Sequence, residues 1–317
     1  MLLEMIERDI HVGVEYLGIL ARTSSHRYKE YFIPKASGGL RRILHPAKEL
    51  KTVQRWIHRT ILCNFPVHPV AAAYRPKCGL LDHVSLHRAA RYLLRMDFED
   101  FFPSLSGNDV RAHFREHSNV LPPGWTQVDT ETLVQFVCVK GQLTIGSVTS
   151  PALSNTLCYE LDRLLHEYCT ELGVTYTRYA DDMFFSTDQR NQLSKVERKV
   201  IETVKRLECP QSLRIKQEKT RHCSRKGRMV ITGLIVTPDG KVSLGRERKR
   251  RVKALVHRWD TLEEEQKISL SGYMAYCMAV EPTFVQSLYG KYGPERMAQI
   301  REFSFSELPG HQGFPDE

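Results

Sequence analysis

Val174-Thr175-Tyr176-Thr177-Arg178-Tyr179-Ala180-Asp181-Asp182-Met183-Phe184-Phe185-Ser186 is the segment that decides the fold. Two runs of β-forming residues flank the adjacent carboxylates of Asp181 and Asp182. Because successive side chains of a regular strand point to opposite faces, both aspartates can serve one site only if the chain turns between the runs. The segment therefore predicts a β-hairpin that displays metal ligands at its tip. The alternative is a solvated turn, since Asp is a common turn residue.

A second group of acidic residues lies upstream, in Tyr92-Leu93-Leu94-Arg95-Met96-Asp97-Phe98-Glu99-Asp100. The apolar run predicts a buried strand with Asp97 at its C-terminal end, where a neighbouring hairpin would bring Asp181 and Asp182 alongside. Three carboxylates from two segments can bind two divalent ions, which polarise a triphosphate and activate an attacking hydroxyl. The natural occupant is Mg²⁺. Asp97, Asp181 and Asp182 are the predicted catalytic residues and metal ligands.

With these motifs the chain resembles a reverse transcriptase, and specifically the bacterial retron type. The similarity covers most of the sequence. The element Val230-Ile231-Thr232-Gly233-Leu234 resembles the Val-Thr-Gly element that marks retron enzymes. The segments that resemble the four palm motifs of the family are Leu86 to Ser104, Gly146 to Asp162, Thr175 to Ser186 and Glu218 to Thr220.

The resemblance implies an α+β right-hand polymerase fold with fingers, a palm made of an antiparallel sheet backed by helices, and a small, mostly helical thumb. We expect the N-terminal helix and fingers in residues 1–90, the palm in 91–244, and the thumb with a C-terminal tail in 245–317. The tail after Pro309 is expected to be loose. Apolar residues at helical spacing predict helices over 46–61, 151–172 and 192–207.

The resemblance also implies which residues bind the phosphates of an incoming nucleotide. Lys35 and either Arg41 or Arg42 would do so from the fingers. Lys219 would protonate the departing pyrophosphate, although a merely solvated lysine is equally compatible with the sequence.

Phe102 bears on the choice of sugar. It follows Asp97 by five residues, where similar enzymes place an aromatic ring beneath the sugar of the nucleotide, and a ring there leaves no room for a 2′-hydroxyl. This predicts a preference for deoxynucleotides. The alternative is that Phe101 and Phe102 both belong to the core.

The sequence departs from the family at two places. The second motif carries Ile145 where the family usually has Gln, which removes one polar contact with the template or nucleotide. Gly146 keeps the backbone flexibility that lets this loop approach a base pair closely, so it remains a predicted nucleotide-binding residue. The retron Asn-Ala-x-x-His element keeps only its last residue, His87, for which the resemblance implies RNA binding.

Positive charge is concentrated in one part of the chain. Residues 214–258 hold fifteen Lys and Arg against three acids, within a total net charge of +9. Such a segment attracts phosphate and makes affinity depend steeply on salt. Strands are predicted over 228–236 and 241–244, and a helix from about Arg246. The residues predicted to bind RNA here are Thr232, Gly233, Arg246, Arg248, Lys249 and Arg250.

Composition excludes several classes of protein. An apolar content of 41% over 317 residues suffices for one large core or two modest ones. The first ten residues carry early acids and predict an amphipathic helix rather than a signal peptide or a membrane span, so a cytoplasmic protein is expected. The eight cysteines lack close pairs, which argues against a zinc site or a disulfide framework. His113 and His117 could share a helix face, but no third ligand is evident, so no metal is expected there.

The predicted function is RNA-directed DNA polymerisation with two Mg²⁺ ions and deoxynucleoside triphosphates. Retron resemblance implies that a dedicated structured noncoding RNA serves as primer and template, that the product is RNA-linked single-stranded DNA, and that the enzyme works beside a separate effector or toxin protein in antiphage defence. Two alternatives remain: a group II intron-like reverse transcriptase, which the short chain disfavours, and an RNA-binding antitoxin module, which the three intact aspartates disfavour.

Overall fold

A computed structural model describes residues 1–35 and 38–303. The predicted loose tail after Pro309 lies outside these residues. The chain divides into two compact units. Among the described residues, the first unit comprises those within 1–79 and 90–222, and the second comprises those within 80–89 and 223–303. The expected division into fingers, palm and thumb at residues 90 and 244 stays a prediction.

Helices and antiparallel strands follow one another in runs along the chain, as expected for an α+β protein. The helices are α1 Leu2–Ile10, α2 Val14–Thr23, α3 Lys48–Thr60, α4 Leu80–His87, α5 Phe101–Ser104, α6 Gly107–Glu116, α7 Gln127–Val137, α8 Ser150–Leu157, α9 Tyr159–Glu171, α10 Gln192–Arg206, α11 Arg246–His257, α12 Glu264–Val280 and α13 Pro282–Glu302. The strands are β1 Tyr28–Pro34, β2 Leu40–Pro46, β3 Tyr92–Asp97, β4 Thr175–Tyr179, β5 Asp182–Thr187, β6 Arg221–Ser224, β7 Met229–Ile231, β8 Leu234–Val236 and β9 Val242–Ser243.

The central sheet has the strand order β4-β5-β3-β6. Leu93, Leu94 and Met96 of β3 are buried, so this strand is covered on both faces, as its continuous apolar run predicts. β3 pairs with β5 in antiparallel register, from Tyr92 opposite Thr187 to Asp97 opposite Asp182. The register therefore brings the end of β3 beside the start of β5.

Helices of the first unit bury their apolar faces together with this sheet. The helices predicted over 46–61 and 192–207 are confirmed as α3 and α10. The single helix predicted over 151–172 is wrong, because the backbone leaves the α conformation at Cys158, where ψ is 8°, and the segment divides into α8 and α9. Leu157 and Leu161 keep helical spacing across the break, so the apolar pattern alone did not reveal it.

The second unit contains a small antiparallel sheet with the strand order β7-β8-β9, followed by three helices. The single strand predicted over 228–236 is wrong, because the chain turns at Thr232 and Gly233, both of which have positive φ. The strand predicted over 241–244 is confirmed as β9, which pairs with β8 in antiparallel register. The Arg225 guanidinium donates to the carbonyl oxygens of Arg88 and Ala89, which ties the segment after α4 to this unit.

Across residues 1–35 and 38–303 no helix has both the length and the apolarity that a bilayer crossing requires.

Candidate active site

The hairpin that carries the aspartate pair closes through a two-residue turn. Tyr179 of β4 pairs with Asp182 of β5, which leaves Ala180 and Asp181 at the tip. Ala180 has a φ of 56°, a value that alanine rarely adopts, and the primed turns of tight hairpins require positive φ. The backbone of this turn is therefore strained, as is common where a chain must aim functional groups.

The end of β3 fixes the tip of this hairpin. The Phe98 N–H donates to the Asp181 carbonyl oxygen at 3.1 Å, one residue beyond the pair formed by Asp97 and Asp182. Directly opposed residues of an antiparallel pair share one face of the sheet, with Cβ atoms about 5 Å apart. The fold thus brings the three predicted aspartates together, and like charges so close require cations between or beside them.

Lys219 supplies one of these cations. Backbone hydrogen bonds join the residues after Asp97 to a returning segment, with Glu99 N–H bonded to Arg214 and Lys216 N–H bonded to the Asp97 carbonyl. A short 3-10 turn then brings the Lys219 ammonium to 2.9 Å from Asp97 Oδ2. The sequence also allowed Lys219 to be a solvated lysine without a partner, but in the folded chain it is paired with Asp97.

Arg95 supplies a second cation, which sequence reasoning missed. Its Nε and Nη2 atoms lie 3.0 and 2.7 Å from Asp182 Oδ1, and Nη2 lies 3.0 Å from Oδ2. Arg95 precedes Asp97 by two residues and so shares its face of β3. That spacing was the signal available in the sequence.

Both hairpin carboxyls are hard to ionise without added cations. Burial raises the pKa of Asp182 to about 6, against the opposing charge of Arg95. Burial also raises the pKa of Asp181, and the charge of Asp97 adds to this, whereas the positive charges of Lys219 and Arg41 act in the other direction. Groups whose charged forms are this disfavoured are typical of sites that bind ions.

The donor set fits a hard divalent cation. Asp97 is 3% exposed, and its Oδ1 is a buried oxygen that has no hydrogen-bond partner in the described part of the chain. Buried carboxylate oxygens are normally satisfied, so an unpaired one in an acidic cluster indicates a ligand. Oxygen donors from three carboxylates are those that Mg²⁺ prefers.

The hairpin formed by β1 and β2 distinguishes the two candidate arginines. Arg42 lies on the face of β2 where its guanidinium bonds both carboxylate oxygens of Glu30, at 2.7 and 3.1 Å. Arg41 directly precedes Arg42 on β2 and so points to the opposite face. Burial and, next, the charge of Asp181 raise the pKa of Tyr74. The positive charge of Arg41 acts in the opposite direction on the pKa of both Tyr74 and Asp181. Lys35 is exposed at the end of β1.

Gly146 lies against the same hairpin. The Leu44 N–H donates to the Ile145 carbonyl, and Gly146 has a φ of 106°. A Cβ atom on Gly146 would lie 2.6 Å from the Leu44 carbonyl oxygen. Glycine is thus required by the approach of the β2 backbone, which the sequence did not reveal.

A buried glutamine braces the loop that follows Gly146. Gln54 on α3 is fully buried, and its Oε1 accepts from the Ser147 hydroxyl and the Val148 N–H. Its Nε2 donates to the Tyr28 hydroxyl and the Phe136 carbonyl. Gln54 was not predicted to matter, although a polar residue on the buried face of an amphipathic helix was a visible signal.

The two phenylalanines after Asp97 have different surroundings. Phe101 is 4% exposed and stacks on Phe98, with ring centroids 5.4 Å apart. Phe102 is only partly buried and packs at the margin of the core. Of the two rings, Phe101 is therefore the core residue, and Phe102 remains the candidate for contact with a sugar.

A buried ion pair supports the hairpin from below. Arg178 and Asp162 are both fully buried, with Nη2 at 2.6 Å from Oδ2 and Nε at 2.9 Å from Oδ1. Arg178 Nη1 also donates to the Ala180 carbonyl at 3.2 Å, within the turn that carries Asp181. Neither partner was predicted to act in this way, because their contact joins α9 to β4 only in the folded chain.

Three of the predicted RNA-binding residues of the second unit, Thr232, Gly233 and Arg248, meet at the turn between β7 and β8. Thr232 and Gly233 form this turn, and a Cβ atom on Gly233 would lie 3.0 Å from Arg248 Nη2. Thr232 Oγ1 is buried and has no hydrogen-bond partner within residues 1–35 and 38–303. Arg246 and Arg250 are exposed on α11. Arg248 therefore joins the turn to α11, whereas Arg246 and Arg250 project from the opposite side of the helix.

Two other residues predicted to bind RNA are placed differently. His87 is fully buried and packs near His83, and its contact with RNA stays a prediction. Lys249 forms an ion pair with Glu281, which also accepts from the Ser243 hydroxyl and the Leu244 N–H. The ammonium of Lys249 is therefore paired with a carboxylate of the second unit itself.

Comparison with known proteins agrees with this geometry. Residues 33–257 match the family model for reverse transcriptase, described as RNA-dependent DNA polymerase. Among solved structures, an apo telomerase from Candida tropicalis aligns with a TM-score of 0.51 and 13% identity, covering 77% of this chain. The chain spans 52% of that telomerase, and at this identity the match shows the polymerase fold alone.

Relatives from Escherichia coli match over nearly their whole length. The retron Ec83 reverse transcriptase is 30% identical over 300 residues, with 90% of this chain and 92% of the relative covered. The retron Ec86 reverse transcriptase is 28% identical, with 91% and 89% covered. With an aspartate triad at the end of paired strands, the chain belongs to the reverse transcriptase family and is an RNA-directed DNA polymerase of the retron type.

Proposed function

We propose that this polymerase uses Asp97, Asp181 and Asp182 to hold two Mg²⁺ ions while it copies RNA into DNA. The observation that carries this proposal is the register that sets Asp97 opposite Asp182 beneath the Asp181 turn. Reverse transcriptases generally depend on divalent metal ions. When bound, such ions lower the pKa of the attacking hydroxyl and polarise the triphosphate.

The residues around the triad have separate roles in this proposal. Arg41 and Lys35 bind the triphosphate, since Arg42 is already paired with Glu30. Phe102 lies under the sugar and excludes ribonucleotides. Lys219 balances the charge of Asp97, with which it is in contact, and Gly146 allows the loop beside β2 to pass close to the nucleotide.

RNA recognition is assigned to the surface of the second unit. Arg246, Arg248 and Arg250 contact phosphates, and the Thr232–Gly233 turn contacts the RNA beside them. A groove of about 610 Å³ adjoins Arg248 and is lined also by Arg251 and Tyr273. Arginines interleaved with an aromatic ring are suited to unpaired RNA, because bases stack on rings while guanidinium groups bind phosphate.

The biological setting follows from the retron relatives. A dedicated structured noncoding RNA is primer and template, the products are RNA-linked single-stranded DNAs made from deoxynucleoside triphosphates, and the protein acts in the cytoplasm. The proposal also includes a separate effector protein and a role in antiphage defence. The similarity to retron reverse transcriptases is the observation that supports these two points.

The deciding experiment expresses the chain together with about a kilobase of its flanking DNA and isolates short DNA linked to RNA. We expect such a product from the wild-type protein and none from Asp181→Asn or Asp182→Asn, each with RNA binding retained. RNA binding without any DNA product from the wild type would favour an antitoxin-like binding module. DNA synthesis on unrelated templates alone would favour an intron-like enzyme.

The RNA surface is tested separately by filter binding of the co-purified RNA at several salt concentrations. Arg248→Ala should weaken binding at low salt and reduce the salt dependence by about one phosphate contact. Arg206→Ala is the matched control, because Arg206 is exposed on α10 and paired with Glu202 in the first unit. Equal effects of the two substitutions would remove the surface from the proposal.

A further inference from the structure

A second group of metal-ligating side chains lies at the end of α6, in the first unit. The sequence suggested His113 and His117 as a pair without a third ligand. The structure adds Glu116, and one ligand atom from each of the three residues lies within 4.8 Å of the other two. Residues spaced three and four apart share one face of a helix, which brings the three side chains together.

His113 is prepared to act as a ligand. Its side chain is 4% exposed, and its Nε2 has no hydrogen-bond partner among the residues that the structure describes. A buried ring nitrogen that has no partner in the protein can offer its lone pair to a metal ion.

A hydrogen bond of His117 determines which of its two ring nitrogens can bind a metal ion. Its Nδ1 lies 3.1 Å from the carbonyl oxygen of His113 and must donate, because a carbonyl can only accept. With the proton on Nδ1 used in this hydrogen bond, Nε2 is the ring nitrogen that can bind a metal ion. A hydrogen bond from the other ring nitrogen to a backbone carbonyl is the usual support of a metal-bound histidine.

Packing fixes both rings. Phe65 lies against them, with ring centroids 5.2 Å from His113 and 6.2 Å from His117, and the two imidazole centroids are 4.3 Å apart. Glu116 is exposed and supplies the negative charge that a divalent cation requires. The potential ligands are thus two imidazole nitrogens and one carboxylate, and the side of the site at Glu116 is open to solvent.

We propose that His113, Glu116 and His117 bind one divalent transition-metal ion of the Zn²⁺ class, with water in the fourth position. Imidazole suits Zn²⁺ and similar ions, whereas the all-carboxylate triad of the active site suits Mg²⁺. The two sites therefore select different metals and bind independently. An ion here also cross-links the last turn of α6 to its C-terminal cap, so binding stabilises the protein.

The test is titration of the full-length protein with Zn²⁺ alone by calorimetry, in excess Mg²⁺ to occupy the aspartates. A background with Cys63→Ser and Cys78→Ser removes the two exposed thiols, which would otherwise bind zinc. We expect a single tight equivalent and a higher melting temperature. Glu116→Gln and His117→Asn should each weaken this binding by at least about tenfold.

Two controls keep the result decisive. His58→Asn removes an exposed histidine from α3 and should leave the zinc isotherm unchanged. Asp181→Asn should also leave it unchanged, because the active site is separate. The proposal is overturned if no tight equivalent is found, if Glu116→Gln and His117→Asn bind as the parent does, or if Asp181→Asn abolishes the binding.

Discussion

The Arg95 guanidinium holds both carboxylate oxygens of Asp182, at 2.7 to 3.0 Å, on the face of β3 that also carries Asp97. The guanidinium of Arg95 thus occupies, beside the aspartate pair, a position in which a metal ion could otherwise lie. It opposes the rise that burial causes in the pKa of Asp182, it aims the carboxylate in the absence of metal, and it competes with metal for the same oxygens.

Replacing Arg95 should therefore separate metal binding from catalysis. In Arg95→Leu we expect Mn²⁺ to bind roughly tenfold more tightly, because the competing cation is gone, while turnover falls because Asp182 loses its orientation. Electron paramagnetic resonance of free Mn²⁺ measures the affinity without nucleotide. Arg91→Leu is the control, since Arg91 is exposed and lies 4.0 Å from Asp188. Unchanged Mn²⁺ affinity in Arg95→Leu would contradict the competition.

The raised pKa of Asp182 predicts how stability depends on pH. Its folded pKa of about 6 exceeds the ordinary 3.8, so between these values the folded protein binds a proton that the unfolded chain has released. Without divalent metal, this group therefore makes the protein more stable as the pH falls through about 6. Urea unfolding in EDTA at pH 7 and pH 5 should show that contribution in the wild type and not in Asp182→Asn. The same pH dependence in both proteins would refute it.

Gly141 and Gly146 both have positive φ, but only Gly146 lies close to the β2 backbone. Substituting each in turn separates the cost of this close contact from the cost of backbone strain. Gly146→Ala places a Cβ atom 2.6 Å from the Leu44 carbonyl, whereas Gly141→Ala at a φ of 76° meets nothing within 4 Å. We expect a loss of about 1 kcal/mol for Gly141→Ala from backbone strain, and about 2 kcal/mol more for Gly146→Ala. Denaturant unfolding measures both. Equal losses would mean that the contact with β2 is relieved at no cost.

The buried pair of Arg178 and Asp162 should be among the most sensitive points of the first unit. Asp162→Ala leaves a buried guanidinium without its partner and should cost about 3 to 5 kcal/mol. Glu160→Ala on the same helix breaks an ion pair with Arg163 that is half exposed, and should cost under about 1 kcal/mol. Equilibrium unfolding distinguishes the two, and similar losses would show that burial of the pair does not matter.

Phe102 is expected to set the preference for deoxynucleotides. In Phe102→Ala the ratio of ribonucleotide to deoxynucleotide incorporation should rise by at least roughly tenfold, because space opens for a 2′-hydroxyl. Primer extension with single nucleotides measures this ratio. Phe101→Leu serves as the control, since Phe101 is a core residue and should affect stability rather than selection. No gain of ribonucleotide use in Phe102→Ala would end this assignment.

The sequence alone predicted the cluster of three aspartates, because the strand patterns that end at Asp97 and flank Asp181 are local, and the structure brings these residues together. Local apolar periodicity likewise predicted α3 and α10. Tertiary structure alone decided which arginine is free to reach the site, since Glu30 and Arg42 meet only when β1 and β2 pair. It also decided that His87 is buried, that Lys219 contacts Asp97, and that Glu116 joins two histidines. Each of these depends on distances between separate elements or on burial, which spacing along the chain does not specify.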